Sequence, residues 1–282
     1  MACAQVSKHP DITADIDVIL VDGDVLVYEM SFGAEYKDDE GNKQVRDFDF
    51  VEEQLVRFLD YLRMRLGCED IEVFLTGKDN FREQVATTKP YKGQRGEKPF
   101  HYQATRTWLE LNTNCVVAEG MEADDLLGIV QTDNNLTGVT SIICSRDKDL
   151  KQIEGWHYSW EVGYQKEAVV YSSYPGSLTL HESGNKKKLR GDGIVWFYAQ
   201  LIMGDRVDNI PGLPKMGDVA AYNALHECTN EQEMFSVVRQ LYHNKGFDDS
   251  YLMEQAKLLW MCKETNPDGT PVMYYPPLEL EE

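Results

Sequence analysis

Short apolar runs alternate with amphipathic stretches over the first half of this chain. Asp17 to Tyr28, which contains VILVDGDVLVY, predicts a strand with a break at Gly23. Apolar continuity of that kind suits a strand covered on both faces. Glu35–Val45 is polar and predicts a loop or a short hairpin. Asp49 to Leu66 places Phe50, Leu55, Phe58, Leu59, Leu62 and Leu66 near one face, the period of a helix. Ile71–Leu75 predicts a second strand, Cys115–Ala118 a third and Ser141–Cys144 a fourth. Glu122 to Val130 opens a helix between the last two. Trp156–Tyr171 alternates as two strands of a meander or edge hairpin. Ser172–Arg190 reads as loop, with the basic cluster Lys186, Lys187, Lys188 and Arg190. Asp192–Met203 is strongly apolar and helical, and Asp218–Leu225 is a further helix after Pro211, Gly212 and Pro214. Helices continue to about residue 264, and PVMYYPPLELEE is a tail. Strand–helix alternation followed by helices predicts an α/β core with a mostly parallel central sheet and a helical C-terminal part.

Acidic residues change the picture, because they gather in islands at the ends of these runs. The islands are Asp22 and Asp24; Glu122, Asp124 and Asp125; Asp147 and Asp149; and Asp205 and Asp208, with Asp79 as a weaker fifth. An α/β sheet places its ligand crevice outside the carboxyl ends of its strands. Two carboxylates about 4 Å apart repel by roughly 4 kcal/mol at an effective dielectric of 20. A hard dication removes that penalty, and carboxylates are the ligands that Mg²⁺ or Mn²⁺ prefers. Each island also has a plain structural reading. Glu122, Asp124 and Asp125 suit a helix N-terminus, Asp147 and Asp149 a capping turn, and Asp205 and Asp208 a helix-end turn. Asp22-Gly-Asp24 after an apolar strand also leaves open an aspartyl-nucleophile phosphatase.

The net charge of −20 argues against nucleic-acid binding when read as a total. Locally the sign reverses. Lys78, Arg82, Lys89, Lys92, Arg95, Lys98 and Arg106 meet only Asp79, Glu83 and Glu97 between residues 78 and 106. Tyr91, Phe100, Tyr102 and Trp108 are interleaved with these cations, a composition that tracks phosphates and stacks bases. The alternative is a solvated loop followed by a core-facing aromatic helix. The six cysteines form no C-x-x-C pair and fit free thiols in a reducing cytosol. The polar N-terminus has no secretory h-region, and no run approaches a membrane span.

VDGD, NFR followed by YKGQR, EADDLLG, SRDKDL, and WFYAQLI followed by GDRVDNIPGLPKMG occur in one order over roughly residues 18–225. On these motifs the chain resembles the flap endonuclease and 5′→3′ exonuclease family. It is most similar to bacteriophage exonucleases and to the nuclease domains that accompany bacterial DNA polymerase I. The resemblance implies a PIN-like 5′-nuclease core over 1–190, with a helical arch at about 78–108. It also implies a DNA-binding region over 191–282, with a helix–hairpin–helix-type element at about 192–226. It implies a two-metal phosphodiesterase. Asp22, Glu122, Asp124 and Asp125 would hold one Mg²⁺, and Asp147, Asp149, Asp205 and Asp208 a second, with Mn²⁺ as a substitute. Asp22, Asp149, Lys92 and Arg82 are its expected catalytic residues, the two cations lying near the scissile phosphate. Lys78, Lys89, Tyr91, Arg95, Gly212, Lys215 and Gly217 are its expected DNA contacts, with K⁺ at the hairpin element. The implied substrates are DNA with a free 5′ end or a 5′ flap, and RNA–DNA hybrid primers. A polymerase or single-strand-binding protein is an implied partner, and the cytoplasm, a host's if the chain is phage-encoded, the implied location. Two departures stand out: Gly77 occupies a position where the family has aspartate, with Asp79 two residues on, and Asp218 replaces a basic residue after the hairpin's last glycine. A branched-DNA binding module that no longer cuts therefore remains a competing reading.

Overall fold

The computed structural model describes residues 7–93, 96–184 and 186–277. In chain order its elements are β1 (Val18–Asp22), α1 (Gly23–Gly33), β2 (Glu35–Lys37), β3 (Lys43–Val45), α2 (Phe48–Leu66), β4 (Ile71–Thr76), α3 (Phe81–Val85), α4 (Tyr102–Asn112), β5 (Asn114–Ala118), α5 (Ala123–Thr137) and β6 (Ser141–Cys144). They continue as β7 (Gly155–Ser159), β8 (Ala168–Ser172), β9 (Ser177–Ser183), β10 (Lys186–Asp192), α6 (Gly193–Met203), α7 (Asp218–Leu225), α8 (Glu231–Asn244) and α9 (Asp249–Leu259). A six-stranded sheet runs in the order β5-β4-β1-β6-β7-β8. The pairs β5–β4, β4–β1, β1–β6 and β6–β7 are all parallel. β1, β4 and β6 therefore end at one edge of the sheet, the edge where an α/β sheet places its ligand crevice.

The chain divides into two compact units. The first comprises 1–78, 96–147 and 156–170, and the second 79–95, 148–155 and 171–282. In the first, Val51, Leu55, Leu59, Leu62 and Leu66 of α2 are buried at helical spacing. They share a core with Ile19, Val21, Val73, Leu75, Ile142 and Cys144 of the sheet. Gly67, at φ 70°, closes α2 in the left-handed conformation that glycine tolerates. In the second unit α6 is buried from Gly193 to Ile202, and Phe197, Tyr198, Val238, Tyr242 and Tyr274 pack in one cluster. No helix among the described residues is long and apolar enough to cross a membrane.

Three sequence expectations change. The strand expected from Asp17 to Tyr28 ends at Asp22, and DVLVY belongs to α1. The apolar run continues through both because each element buries its own apolar face. Gly23 marks the switch, since a Cβ there would lie 2.6 Å from the Phe74 carbonyl oxygen and 2.8 Å from Leu75. The loop expected over Ser172–Arg190 contains the antiparallel pair β9–β10. Its lysines are exposed on β10 and only Leu189 there is buried, so the apolar alternation that marks a strand is missing. The helical arch expected at about 78–108 contains the five-residue α3 and, from Tyr102, the start of α4, which packs against α1 in the first unit. Thr87 and Thr88 bind the Glu254 carboxylate of α9, with both amides within 2.9 Å.

Gly23→Ala should destabilise the protein by about 1–3 kcal/mol through overpacking against β4. A urea titration followed by circular dichroism checks this, and an unchanged midpoint would remove the close-approach explanation.

Candidate functional site

In the first unit the acidic islands meet at the ends of β4, β1 and β6. Asp22 closes β1 and caps α1, its Oδ1 accepting the Val25 N–H at 3.0 Å. Ser145, the residue after β6, donates its hydroxyl to Asp22 Oδ2 at 2.6 Å. The same Ser145 oxygen accepts the Asp147 N–H at 2.9 Å, so one hydroxyl orients two islands. Thr76, the last residue of β4, makes a similar link. Its N–H reaches Asp24 Oδ2 at 3.2 Å, and its hydroxyl accepts the Ala123 N–H at the start of α5 at 2.9 Å. Arg106 on α4 lies 3.8 Å from Asp24 Oδ1.

The next island sits at the N-terminus of α5. Glu122 and Asp125 form a reciprocal capping box, so the helix-terminus reading is realised. Both residues are buried, as is Asp22. Caps need only one oxygen of a carboxylate, so this use is compatible with a ligand role. Among the described residues, no group of three or more Asp, Glu, His or Cys is close enough to hold a metal ion as it stands. The donor chemistry nevertheless suits a hard dication, because these are buried oxygen donors held by hydroxyl and amide groups rather than by cysteine or histidine.

The second unit holds Asp149, Asp205 and Asp208. α6 positions the first of them: Gln200 donates to Asp149, and Trp196 Nε1 donates to the Lys148 carbonyl at 3.1 Å. Asp205 and Asp208 lie in a tight loop after α6, beyond the helix end. Gly204, at φ 72°, ends the helix, and Asp205 and Ile210 exchange two backbone bonds of 2.9 and 2.7 Å. Gly204 and Gly212 face each other so closely that a Cβ on either would collide with the other's strand of the loop. Asp205 Oδ1 accepts the Val207 and Asp208 N–H groups at 2.7 and 3.3 Å. The Lys148 ammonium donates to Asp149 Oδ1 at 2.8 Å and also to Asp205 Oδ2. Burial alone would raise the Asp205 carboxyl, yet Lys148 and these two amides hold it below the ordinary aspartate value. Burial opposes the charge on Lys148, but the two aspartates raise its pKa above that of a free lysine.

The YKGQR segment docks onto the same loop. Lys92 N–H reaches the Asp208 carbonyl at 3.1 Å, and Asn209 donates to the Pro90 carbonyl at 2.9 Å. Tyr91 hydroxyl donates to Asp208 Oδ2 at 3.2 Å, and Lys92 Nζ lies 3.9 Å from Asp208 Oδ1. The Lys92 ammonium thus lies beside the Asp208 carboxylate.

Other expected residues have different surroundings. Arg82 was expected near the scissile phosphate. It is fully buried, with Nε donating to the Leu258 carbonyl at 3.0 Å and a terminal nitrogen to that of Trp260. Its charge serves the carbonyls at the end of α9. Gly212 is buried in its loop, so packing against Gly204 accounts for its lack of a side chain. Lys215, at φ 63°, and Gly217 are exposed in the turn before α7, and Lys78 and Lys89 are exposed. Arg95 lies outside the described residues. Tyr91, Tyr102 and Trp108 pack against core clusters, whereas Phe100 is 74% exposed and meets the His101 ring edge-on. Asp218 accepts the Leu189 N–H at 2.7 Å, so its departure from a basic residue ties α7 to β10. A Cβ at Gly77 would lie 2.7 Å from Glu119 Oε1 and collide with the Ala118 carbonyl, so the backbone leaves no room there for an aspartate. Thr76, Ser145 and Gln200 are not marked as site residues by the sequence, and Arg106, which is marked there as a phosphate-tracking cation, lies beside Asp24 instead. Position is the one signal for Thr76 and Ser145: Thr76 ends β4 and Ser145 directly follows β6.

Residues 17–172, more than half the chain, match the family described as 5′-3′ exonuclease, N-terminal resolvase-like domain, and the chain belongs to that family. DNA polymerase I of Chloroflexus aurantiacus is 28% identical over 223 residues, covering 74% of this chain and 22% of the polymerase. The 5′-3′ exonuclease of Buchnera aphidicola subsp. Acyrthosiphon pisum is 25% identical over 176 residues, covering 61% of this chain and 57% of the relative. The chain therefore spans less than two thirds of either relative. Among solved structures, T5 5′-exonuclease with bound zinc has a TM-score of 0.58 at 19% identity, covering 86% of this chain and 89% of its own. The catalytic core of Rad2 in complex with DNA substrate has a TM-score of 0.50 at 14% identity, covering 93% and 84%. Both share the fold.

Arg82→Met should cost about 3 kcal/mol of stability, because it strands two buried carbonyls after α9. Chemical denaturation reads this directly. Full stability with loss of catalysis would return Arg82 to the phosphate.

Proposed function

We propose that this protein is a divalent-metal-dependent 5′→3′ exonuclease and flap endonuclease that hydrolyses phosphodiester bonds at 5′ ends of DNA. The observation that carries this reading is the Ser145 bridge between Asp22 and Asp147, at the edge where β1, β4 and β6 end. It lies inside the segment matched to the exonuclease family. Structures of T5 5′-exonuclease hold divalent ions, and Rad2 has been seen on DNA substrate, which supports the same chemistry here.

Asp22, Glu122, Asp124 and Asp125 would hold one Mg²⁺. Asp149, Asp205 and Asp208 would hold the second. Bound dications acidify water and stabilise charge on the attacking and leaving oxygens of a phosphodiester. The protein's own contribution is orientation. Ser145 fixes Asp22 through its Oδ2, Thr76 fixes Asp24 and the start of α5, and Gln200 fixes Asp149. Lys92, already beside Asp208, would offset charge developing on the phosphoryl oxygens. Lys78, Lys89, Arg95, Lys215 and Gly217 would contact the phosphate backbone, with K⁺ at the 213–217 turn. RNA–DNA hybrid primers as substrates, a polymerase or single-strand-binding protein as partner, and a cytoplasmic site of action complete the reading. Membership of the exonuclease family sets aside the aspartyl-phosphatase alternative.

Labelled 5′-flap and 5′-recessed duplexes should release 5′ products in Mg²⁺ or Mn²⁺ and none in chelator. Asp22→Asn and Asp208→Asn, one from each unit, should each abolish release while the circular dichroism spectrum is kept. DNA binding without cleavage in any metal would establish the non-catalytic module instead. Ser145→Ala should lower Mn²⁺ affinity about 10–100-fold, the range for losing a partner that orients a ligand. Calorimetric titration checks this, and an unchanged isotherm would take Ser145 out of the site.

A further inference from the structure

Lys148 lies in the middle of SRDKDL, between two residues expected to be metal ligands, and its side chain has a place of its own. Its ammonium bridges Asp149 and Asp205, 2.8 Å from Asp149 Oδ1 and in direct contact with Asp205 Oδ2. The two carboxylates come from distant segments, one opening the turn after β6 and the other following α6. Their side chains are 8% and 6% exposed, whereas that of Lys148 is 53% exposed. Two carboxylates so buried need positive charge close by. An ammonium on a long, half-exposed stem supplies it and still has solvent into which to withdraw. Its backbone stays fixed meanwhile, because Trp196 Nε1 holds the Lys148 carbonyl.

We propose that Lys148 is an exchangeable internal counter-cation: its ammonium bridges Asp149 and Asp205 in the metal-free protein and swings out to solvent when a dication takes its place. This rests on the reading of these carboxylates as metal ligands. The exchange has two consequences. The metal-free fold is protected from carboxylate repulsion around the 205–210 loop. In return, the dication binds more weakly than the carboxylates alone would allow, since it must displace a bound charge. No bond is made or broken in the exchange; one ammonium gives way to one dication.

Lys148→Met keeps the length of the stem and removes the charge. In EDTA the variant should melt below the wild type. Titrated with Mn²⁺ in a calorimeter, it should bind about tenfold more tightly, equivalent to ~1.4 kcal/mol, with the change confined to one class of site. Saturating Mn²⁺ should then raise the variant's melting temperature more than that of the wild type. Lys148→Arg, which keeps the charge, should follow the wild type in EDTA and serves if the methionine variant does not fold. Equal Mn²⁺ affinity in wild type and Lys148→Met overturns the exchange. Weaker binding in the variant also overturns it and makes Lys148 an organiser of the ligands. Absence of Mn²⁺ binding in both proteins instead defeats the metal reading itself, which separates the two failures.

Discussion

Buried negative charge is the constraint on which the rest of the structure depends. Asp22, Glu122, Asp125, Asp149 and Asp205 are all nearly excluded from solvent in a chain of net charge −20. A carboxylate removed from water must recover its hydration through donors or cations. Each unit does so with its own means. In the first, the Ser145 hydroxyl, the Val25 N–H and the capping box of α5 provide the donors, and the Thr76 N–H serves the neighbouring Asp24. In the second, the α6 side chains, two loop amides and the ammoniums of Lys148 and Lys92 provide them. These networks fix the carboxylates before any ion or substrate arrives, so that in the second unit only the Lys148 side chain has to move.

The same constraint explains why the acidic motifs carry glycines and small residues around them. Gly23 lets α1 start hard against β4, so that Asp22 can both end a strand and cap a helix. Gly204 and Gly212 let the loop after α6 fold on itself and turn the Asp205 carboxylate onto its own amides. The pattern GD-x-x-DNIPG is thus largely a statement about backbone closeness. Its aspartates are functional candidates because the glycines permit that closeness.

Much of this was legible in the sequence because the relevant signals were local. The end of an apolar run located β1, β4 and β6, and the parallel order put the acids that follow β1 and β6 at the same edge as the end of β4. Helical periodicity located α2, and the apolar density of WFYAQLI located α6. What was not legible depended on tertiary partners. VLVY has the composition of a strand, yet it forms a helix because α1 must pack on the sheet after Gly23. Arg82 reads as a phosphate ligand in NFR, but its partners are carbonyls 176 and 178 residues later in the chain, at 258 and 260. Tyr102 and Trp108 read as base-stacking faces and are spent on the core. Ser145 and Thr76 carry no charge, so a search for acids and bases passes over them although they orient the acids it finds.

The central claim is that these buried carboxylates are built to receive dications. Urea stability measured against Mg²⁺ concentration, at constant ionic strength maintained with Na⁺, tests it most directly. A ligand that binds only the folded state adds stability as RT ln(1 + [L]/Kd), so the account predicts a steady rise with Mg²⁺ once its Kd is passed. A flat response across the millimolar range would contradict it.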